Sequence, residues 1–299
     1  MTLIECVPNF SEGRRPDVVD AIIAAIAGVP GVSVLDRQSD GVHNRSVITF
    51  AGQDDAVAEG AFRGVEAAVR LIDLTQHEGA HPRMGAADVV PFVPLKGQDM
   101  PACVAVAHAV GARIARELGV PVYFYEEAAR GEERRNLAAV REGQFEGLRA
   151  AIARDPDRAP DEGAPAVHPT AGATAVGARA PLIAYNIDLS SRDLGLAQDI
   201  ARAIRERDGG LPKVKALGLA LDDCVQVSIN LTDYRVTSMQ TAFEAVQVRA
   251  LEAGVEIRGS EVVGLLPQDA LVGLARVALL AHDFSAAQVL EARILDTLL

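Results

Sequence analysis

The segment HEGAHPRMG, from His77 to Gly85, contains the residue types best suited to do chemistry in this chain. Its first five residues match H-E-x-x-H, in which two histidines one helical turn apart bind zinc. That geometry needs a helix, but Gly79 lies between the histidines and Pro82 directly follows His81. A residue before proline is disfavoured in the α conformation, and no suitable third ligand follows in the sequence. The sequence therefore predicts no metal site here.

His81 itself has a second interpretation. It is followed by proline, lies next to Arg83 and leads to Gly85, so the sequence predicts a loop side chain presented at the mouth of a strand. An imidazole with a pKa of about 6.5 can accept and donate a proton near neutral pH. Taken alone, such a histidine is more often solvated or structural than catalytic. His43 and His168 also lie in predicted loops and remain candidates for ligand contacts.

Hydrophobic spacing indicates the elements that position these loops. In the first half it predicts strand 2–8, a helix from Pro16, strands 32–36 and 45–52, a helix capped by Asp54, and strand 88–95. Helix 100–118, strand 120–125 and a charge-rich helical piece reaching residue 154 follow. Residues 155–165 are rich in proline, aspartate and glycine, which is typical of a connection between two halves.

The second half predicts strand 181–189, a helix near Ser191, strands 214–221 and 224–231, helix 238–253 and strand 255–258. Helices 268–281 and 286–299 close the chain. Both halves thus have the order β-α-β-β-α-β, the ferredoxin-like signature in which two helices cover one sheet face and leave the other open. The sequence predicts an α/β (α+β) protein with two ferredoxin-like subdomains, residues 1–177 and 178–299.

Polar and apolar residues alternate along the central strands, which predicts what the open faces present. Glu5 alternates with Ile4 and Cys6 on the first strand. In the second half the polar positions are Asn186, Asp188, Gln226, Ser228 and Asn230. Such faces either meet water or face each other and line a ligand groove.

Composition excludes several functional classes. The 299 residues include 29 Lys and Arg against 41 Asp and Glu, a net charge of −12 without a basic block, which argues against nucleic-acid binding. No apolar run approaches the roughly 20 residues that cross a bilayer, and no secretory signal begins the chain. Three cysteines without metal-type spacing are typical of free thiols in a reducing compartment, so we expect a cytoplasmic protein.

Six motifs together identify a family. They are ECVPNFSEG, HNRSVITFAG, LIDLTQHEGAHPRMGAADVVPFVPL, VPVYFYEEAA, GATAVGAR and GLLPQDAL, and they extend from Glu5 to Leu271. The chain resembles the glutamate formiminotransferase (formimidoyltransferase) family, which also forms the N-terminal part of formiminotransferase-cyclodeaminase. The resemblance implies two α/β subdomains with a groove between them. Because no cyclodeaminase segment follows Leu299, it also implies the monofunctional transferase.

The resemblance implies transfer of a formimino group from N-formimino-L-glutamate to N5 of tetrahydrofolate, a step of histidine degradation. It also implies that tetrahydrofolate is the co-substrate, that no metal is used, that His81 falls on the family's catalytic histidine, and that the protein is a homodimer. The family's folate-binding stretch falls on Gly163, Ala164, Pro165, Ala166, Val167, His168, Pro169, Thr170, Ala171 and Gly172. GATAVGAR, which follows, is interpreted as a flexible loop that leads into strand 181–189. A phosphate-binding loop is disfavoured because its glycines precede a strand rather than a helix.

The implied reaction assigns roles to further residues. The donor's amidinium is cationic, so Glu5 or Asp40 can hold it, whereas the glutamate carboxylates need guanidinium partners. Arg45, beside His43 and Asn44, and Arg83, beside His81, suit that role, and the loop containing Asn9, Ser11 and Glu12 can line the same site.

Two other functions remain open. The chain can be a folate-linked transferase that uses N-formylglutamate and yields 5-formyltetrahydrofolate, or a non-catalytic folate-binding protein. The complete H-P-R-M-G motif argues against the non-catalytic alternative, whereas the sequence does not separate the two donors.

Overall fold

The computed structural model describes residues 2–95, 97–281, 284–290 and 292. The chain divides into two compact units, Met1–Ala180 and Pro181–Leu299. The predicted mixture of helices and strands in two parts is confirmed. Among the described residues, no helix is both long and apolar enough to cross a membrane.

The first unit contains five helices and seven strands among its described residues. The strands are β1 (Ile4–Cys6), β2 (Asn9–Phe10), β3 (Val32–Asp40), β4 (Arg45–Gly52), β5 (Ala87–Pro94), β6 (Val122–Glu126) and β7 (Thr174–Ala178). The helices are α1 (Pro16–Ala27), α2 (Asp54–Leu71), α3 (Met100–Leu118), α4 (Leu137–Val140) and α5 (Gln144–Ala151).

These strands form one sheet. β1 and β2 follow one another along the same position in the sheet. Both pair antiparallel with β4 on one side and with β5 on the other. β3 pairs with β4, while β7 lies parallel to β5 and β6 lies parallel to β7. The sheet order is therefore β3-β4-β1/β2-β5-β7-β6. β4 and β5, which follow the loops at residues 41–44 and 77–86, flank β1 and β2 in the middle of this sheet.

Apolar side chains cover both faces of the first sheet. One core joins strand residues such as Ile4, Ile48 and Phe92 to helices α1, α2 and α3. A second core on the other strand positions, including Tyr123 and Tyr125, packs against Val140 and Leu148 of α4 and α5. Burial of these side chains is the main stabilising contribution to the unit.

The second unit repeats the β-α-β-β-α-β order. Its elements are β8 (Ile183–Leu189), α6 (Leu194–Ile204), β9 (Val214–Ala220), β10 (Val225–Leu231), α7 (Met239–Glu252), β11 (Ile257–Val263) and α8 (Gln268–Ala278). The sheet order is β11-β8-β10-β9, with every neighbouring pair antiparallel. Most of the final predicted helix, residues 286–299, lies outside the described residues.

The apolar side of this sheet meets α6 and α7, as predicted from the alternation. The polar side is less open than the sequence indicated. Asn186 and Gln226 are buried, and both donate to Glu261 Oε1, at 3.0 and 3.3 Å. Gln226 Nε2 also donates to Asp188 Oδ1 at 3.0 Å, whereas Asn230 is exposed.

Two interpretations of the middle of the chain are wrong. Residues 155–165 do not separate the two units but lie within the first, where the Glu162 carbonyl accepts a hydrogen bond from Val122 N at 3.0 Å. GATAVGAR is not a flexible loop, because Thr174–Ala178 is strand β7, buried between β5 and β6. Parallel pairing with β5 on one side and β6 on the other gives this run of small residues its strand conformation.

Two smaller expectations also differ from the structure. β3 continues to Asp40, beyond its predicted end at residue 36, so only residues 41–44 connect it to β4. Asp54 is the first residue of α2 rather than its cap, and Gln53 at the cap position makes no side-chain capping bond.

Candidate active site

The loop of residues 77–83 is not helical and is held against the β3–β4 turn. Asn44 Nδ2 donates to the Glu78 carbonyl at 2.9 Å, and Asn44 Oδ1 accepts from Gly13 N at 2.9 Å. Ala80 N donates to the Val42 carbonyl at 3.2 Å. The two loops are so close at Gly79 that a Cβ there would lie 2.3 Å from the His43 carbonyl oxygen. Glycine at this position therefore allows the two loops to meet.

His77 uses both ring nitrogens within the protein. Arg83 Nε donates to His77 Nδ1 at 3.2 Å, so the proton is on Nε2, which donates to the Asn44 carbonyl at 2.9 Å. This role, together with the non-helical backbone, confirms that the first five residues do not adopt the zinc-binding geometry. His77 orients Arg83 and the β3–β4 turn.

His81 has one ring nitrogen available. Its Nδ1 lies 2.7 Å from the Pro82 carbonyl, which can only accept, so Nδ1 carries the proton and Nε2 keeps its lone pair. The side chain is half-buried, and burial together with the positive charges of Arg45 and Arg141 holds its pKa well below 6.5. The imidazole is consequently neutral at physiological pH and able to act as a base.

His43 links His81 to the carboxylate of Asp40. The His43 ring meets the His81 ring edge-on, with 6.2 Å between centroids, and His43 Nδ1 contacts Asp40 Oδ2 at 2.6 Å. Burial raises the pKa of Asp40, but hydrogen bonds from the His43 backbone and side chain outweigh it, so the net shift is downward. Asp40 is thus an ionised carboxylate bonded to His43, whose ring contacts His81.

A buried charge cluster adjoins His81, formed by Asp88, Arg45 and Arg141. Asp88 is fully buried, accepts from Met84 N at 2.8 Å through Oδ1, and pairs through Oδ2 with Arg45 Nη1 at 2.8 Å and with Arg141 Nη2. Burial raises the pKa of Asp88, but the two guanidinium groups and the Met84 bond lower it further, to well below its usual range. Burial lowers the pKa of Arg45 to about 10.

Arg83 is oriented away from this cluster. Its Nη1 and Nη2 donate to the two carboxylate oxygens of Glu146, at 2.9 and 2.7 Å. These residues line a cleft of about 610 Å³ together with Arg149, Phe145 and the residues Leu74, Thr75, Gln76, His77, Glu78 and Gly79. His81 is not among the residues that line it.

The segment of residues 163–172 ends against the same loops. His168 and Gly172 exchange two backbone hydrogen bonds, of 2.8 and 3.0 Å, which closes a tight turn. The carbonyls of Thr170 and Ala171 accept from Leu74 N at 2.8 Å and from Ala86 N at 2.9 Å. Residues 163–166, at the start of the segment, are exposed. The segment therefore extends from an exposed start to Leu74 and Ala86, which lie on either side of the 77–83 loop in the chain.

The remaining sequence-predicted residues have varied environments. Asn9 Oδ1 accepts from Arg45 Nε at 3.0 Å, so it supports the charge cluster. Ser11 Oγ donates to the Gly85 carbonyl at 2.7 Å, and Glu12 accepts from the backbone of Arg14 and Arg15 at the start of α1. Glu5 lies beside Arg179, and burial raises its pKa while Arg179 opposes the shift.

Sequence reasoning missed Asp88, Arg141 and Glu146. Asp88 is 53 residues from Arg141 along the chain, and Glu146 is 63 residues from Arg83. No local pattern marks such pairs, although an aspartate within the otherwise apolar run AADVVPF is a signal that can be recognised. A charged residue in a buried strand requires partners.

Comparison with known proteins assigns both units. Residues 3–179 match the family model of the formiminotransferase domain, N-terminal subdomain, and residues 184–288 match that of the formiminotransferase domain. The chain is 45% identical to the glutamate formimidoyltransferase of Streptococcus pyogenes serotype M1, covering 98% of this chain and 99% of that protein.

Two further relatives have a sequence identity to this chain within two percentage points of that value. The glutamate formimidoyltransferase of Thermoplasma acidophilum is 47% identical, with 97% of both chains covered. The formimidoyltransferase-cyclodeaminase of Sus scrofa is 46% identical over 91% of this chain, which corresponds to 52% of the longer protein.

Proposed function

The chain belongs to the formiminotransferase family, and we infer that it transfers the formimino group from N-formimino-L-glutamate to N5 of tetrahydrofolate. The products are L-glutamate and 5-formiminotetrahydrofolate. The observation that carries this conclusion is the match of both units to the family over nearly the whole chain, together with His81 in the H-P-R-M-G loop, whose Nδ1 lies 2.7 Å from the Pro82 carbonyl.

The reaction defines what the site must do. N5 of tetrahydrofolate attacks the amidine carbon, a tetrahedral adduct forms, and the C–N bond to the glutamate nitrogen breaks. N5 loses a proton, and the departing nitrogen gains one. A single group that removes the proton from N5 and then donates it to the departing nitrogen accounts for both proton transfers. Such general acid–base catalysis typically raises the rate about 10²–10⁴-fold.

His81 is the group we assign to this proton transfer. Its Nδ1–H donates to the Pro82 carbonyl, which selects the tautomer in which Nε2 keeps a lone pair that can accept a proton. Its lowered pKa leaves it neutral before the attack and makes the protonated form a ready donor afterwards. The nearby carboxylate of Asp40, which acts through His43, can stabilise that transient positive charge.

We propose that the substrates contact the residues around His81. Segment 163–172 is the proposed folate-binding stretch, and its hydrogen bonds to Leu74 and Ala86 place it against the H-P-R-M-G loop. Asp40 and Glu5 remain the candidate carboxylates for the cationic amidinium. Asn9, His43, Asn44 and Arg45 are proposed to shape the donor site, with Arg83 at the neighbouring cleft.

A paired assay tests the donor. Purified protein is supplied with tetrahydrofolate and either N-formimino-L-glutamate or N-formyl-L-glutamate, and formation of the 5-substituted folate is followed. We expect turnover with the formimino donor and little with the formyl donor. The reverse preference would support the formyltransferase alternative, and folate binding without turnover on either donor would support a non-catalytic binding protein.

The assembly and location are separate proposals. We propose a homodimer, which the family resemblance implies, and a cytoplasmic location without nucleic-acid or membrane partners, which the composition favours. Sedimentation velocity on the purified protein tests the dimer, since a monomer of 31.5 kDa sediments distinctly from a particle of twice that mass.

A further inference from the structure

The buried cluster beside His81 has an uncompensated positive charge. Two guanidinium groups, of Arg45 and Arg141, share one oxygen of the Asp88 carboxylate. With Asp88 ionised, the three groups sum to a charge of +1 in a region where Asp88 is completely buried. A buried charge without a counterion is costly, so a site with this charge favours an anion.

Arg141 has a donor available for such an anion. Its Nη2 pairs with Asp88, but its Nε–H is buried and has no hydrogen-bond partner among the described residues. A buried donor without a partner loses its hydrogen bond to water without replacing it, so a ligand oxygen that accepts from it is favoured. The side chain as a whole is 15% exposed although the Nε atom itself is covered, so an anion reaches the guanidinium group from its exposed side and bonds to the Nε–H after a small side-chain rotation.

The two arginines expected from the sequence are already engaged. Arg83 is bound through both Nη atoms to Glu146, and Arg45 donates through Nη1 to Asp88 and through Nε to Asn9. Arg141 therefore differs from both in having an unsatisfied buried N–H.

The chemistry of the donor indicates which anion belongs there. In N-formimino-L-glutamate the α-carboxylate is attached to the same carbon as the nitrogen that leaves. The group that protonates this nitrogen must therefore lie close to the α-carboxylate. The loop that contains His81 is bonded to this cluster, because Met84 N, three residues after His81, donates to Asp88 Oδ1 at 2.8 Å and Asp88 pairs with Arg141. A donor nitrogen at His81 therefore has its α-carboxylate near the cluster.

We propose that Arg141 binds the α-carboxylate of N-formimino-L-glutamate through its Nε–H and thereby determines specificity for an α-amino-acid donor. The assignment rests on the proposed formimino transfer. The γ-carboxylate binds elsewhere, and the positive cluster is neutralised when the donor is bound. Charge-assisted bonds of this kind fix orientation as well as affinity.

The test compares three donors on three proteins. The donors are N-formimino-L-glutamate, its α-amide and its γ-amide, and the proteins are wild type, Arg141→Met and Arg158→Met. For the wild type we expect kcat/KM to fall about 10- to 100-fold from the parent donor to the α-amide. In Arg141→Met the parent donor should lose a similar factor, so that its advantage over the α-amide disappears, while the γ-amide ratio stays as in wild type.

Arg158→Met is the matched control. Arg158 Nη1 and Nη2 donate to the carbonyls of Ala139, Val140 and Glu142, so it anchors the segment that contains Arg141 without joining the charge cluster. This variant should keep the preference for the parent donor over the α-amide. If Arg158→Met removes that preference as fully as Arg141→Met, Arg141 serves only to hold the segment, and the proposal is wrong.

A second variant guards against misfolding of Arg141→Met. Arg141→Lys keeps a positive charge near Asp88 but lacks the Nε–H, and we expect it to retain only part of the α-amide discrimination. An unchanged discrimination in Arg141→Lys, or a collapse of the γ-amide ratio instead, would overturn the assignment. If the wild type fails to transfer a formimino group from any of the donors, the proposed function is wrong and this inference with it.

Discussion

At the residue scale, the protonation state of His81 follows from its neighbours. Burial disfavours the imidazolium, and the net positive charge of Arg45, Arg141 and Asp88 disfavours it further. The Pro82 carbonyl acts in the opposite sense but mainly selects the tautomer with the proton on Nδ1. The same cluster that favours an anionic substrate therefore keeps His81 in the form that accepts a proton.

Replacing His81 with glutamine tests its role. Glutamine retains hydrogen-bonding capacity but has no titratable site, so we expect kcat to fall about 10²-fold or more while the affinity for tetrahydrofolate changes little. Steady-state kinetics and equilibrium folate binding measure the two effects. His77→Gln is the comparison, and a smaller loss is expected there because both His77 nitrogens are used in bonds to Arg83 and Asn44. Wild-type turnover in His81→Gln would contradict the mechanism.

The pH dependence has a definite sign. A base whose pKa lies below 6.5 stays deprotonated down to more acidic pH, so kcat/KM should stay level through pH 6.5 and decline only below it. A decline centred at or above pH 6.5 would mean that the cluster does not act on His81. The profile of Arg141→Lys should resemble that of the wild type, because the positive charge is kept.

Asp88 makes a second prediction at this scale. Asp88→Asn removes the counterion of two largely buried guanidinium groups, and we expect it to lower the free energy of unfolding by about 3–5 kcal/mol. Because the pKa of Asp88 is lowered in the folded protein, its contribution is present above the unfolded-state pKa of about 3.9 and is lost as pH falls further. Wild-type stability should therefore decline more steeply below pH 4 than that of the variant.

Chemical denaturation at several pH values measures this difference. Asp20→Asn is the control, since Asp20 pairs with Arg37 but its side chain is 63% exposed. An exposed pair contributes about 0–1 kcal/mol, so a small effect is expected. Equal losses in the two variants would show that burial of Asp88 does not determine its contribution.

At the scale of elements, local signals predicted the helices best. The spacing of apolar residues placed α3 at Met100–Leu118, and the structure adds an Asp99 side-chain cap to Ala102 N and a left-handed Gly119 after the last turn. The strand Thr174–Ala178 was missed because alanine and glycine have little strand preference of their own. Its strand conformation comes from pairing with β5 and β6, which are distant in sequence.

The candidate site divides in the same way. His81 could be proposed from the sequence because its motif is local, and the structure brings the His43 ring against it, with 6.2 Å between centroids. The pairing of Asp88 with Arg141 could not, since it forms only when β5 and the end of α4 meet. Arg45 was expected to hold a substrate carboxylate, and its bonds to Asp88 and Asn9 appear only in the folded chain.

Gly172 allows a prediction for the folate segment. Its φ is +71°, and a Cβ there would lie 2.2 Å from the Met84 carbonyl oxygen, so Gly172→Ala must displace the segment from the H-P-R-M-G loop. We expect a lower melting temperature and a KM for tetrahydrofolate that rises more than the KM for the formimino donor. Gly119→Ala is a matched control because its φ is +67° and its Cβ would meet nothing within 4 Å.

Gly119→Ala should show the backbone cost alone, about 1–2 kcal/mol, with both KM values unchanged. If the two glycine variants lower stability equally and neither changes the folate KM, the contact between segment 163–172 and Met84 has no part in folate binding.

At the scale of the whole molecule, the candidate chemistry is concentrated in one unit. His81, Asp88, Arg141 and segment 163–172 all lie within Met1–Ala180. The net charge of −12 contrasts with the positive cluster in this unit, so we expect anionic substrates to be attracted by a few buried groups rather than by the protein as a whole. The groove between the two sheets that the resemblance implies stays a prediction.

The two units also have separate hydrophobic cores, which leads to a prediction about unfolding. Ile48 belongs to the main core of the first unit and Ile187 to that of the second, and both side chains are completely buried. Replacing either with valine removes one methylene, at a cost of about 0.5–1.5 kcal/mol. Because neither core includes residues of the other unit, we expect each substitution to act locally.

Ile187→Val should increase amide hydrogen exchange in β8 and β10 about 2- to 10-fold without changing exchange in β4 and β5, and Ile48→Val should do the opposite. Hydrogen exchange followed by mass spectrometry resolves the two sets of strands, and equal acceleration in both by either variant would show that the chain unfolds as one cooperative body.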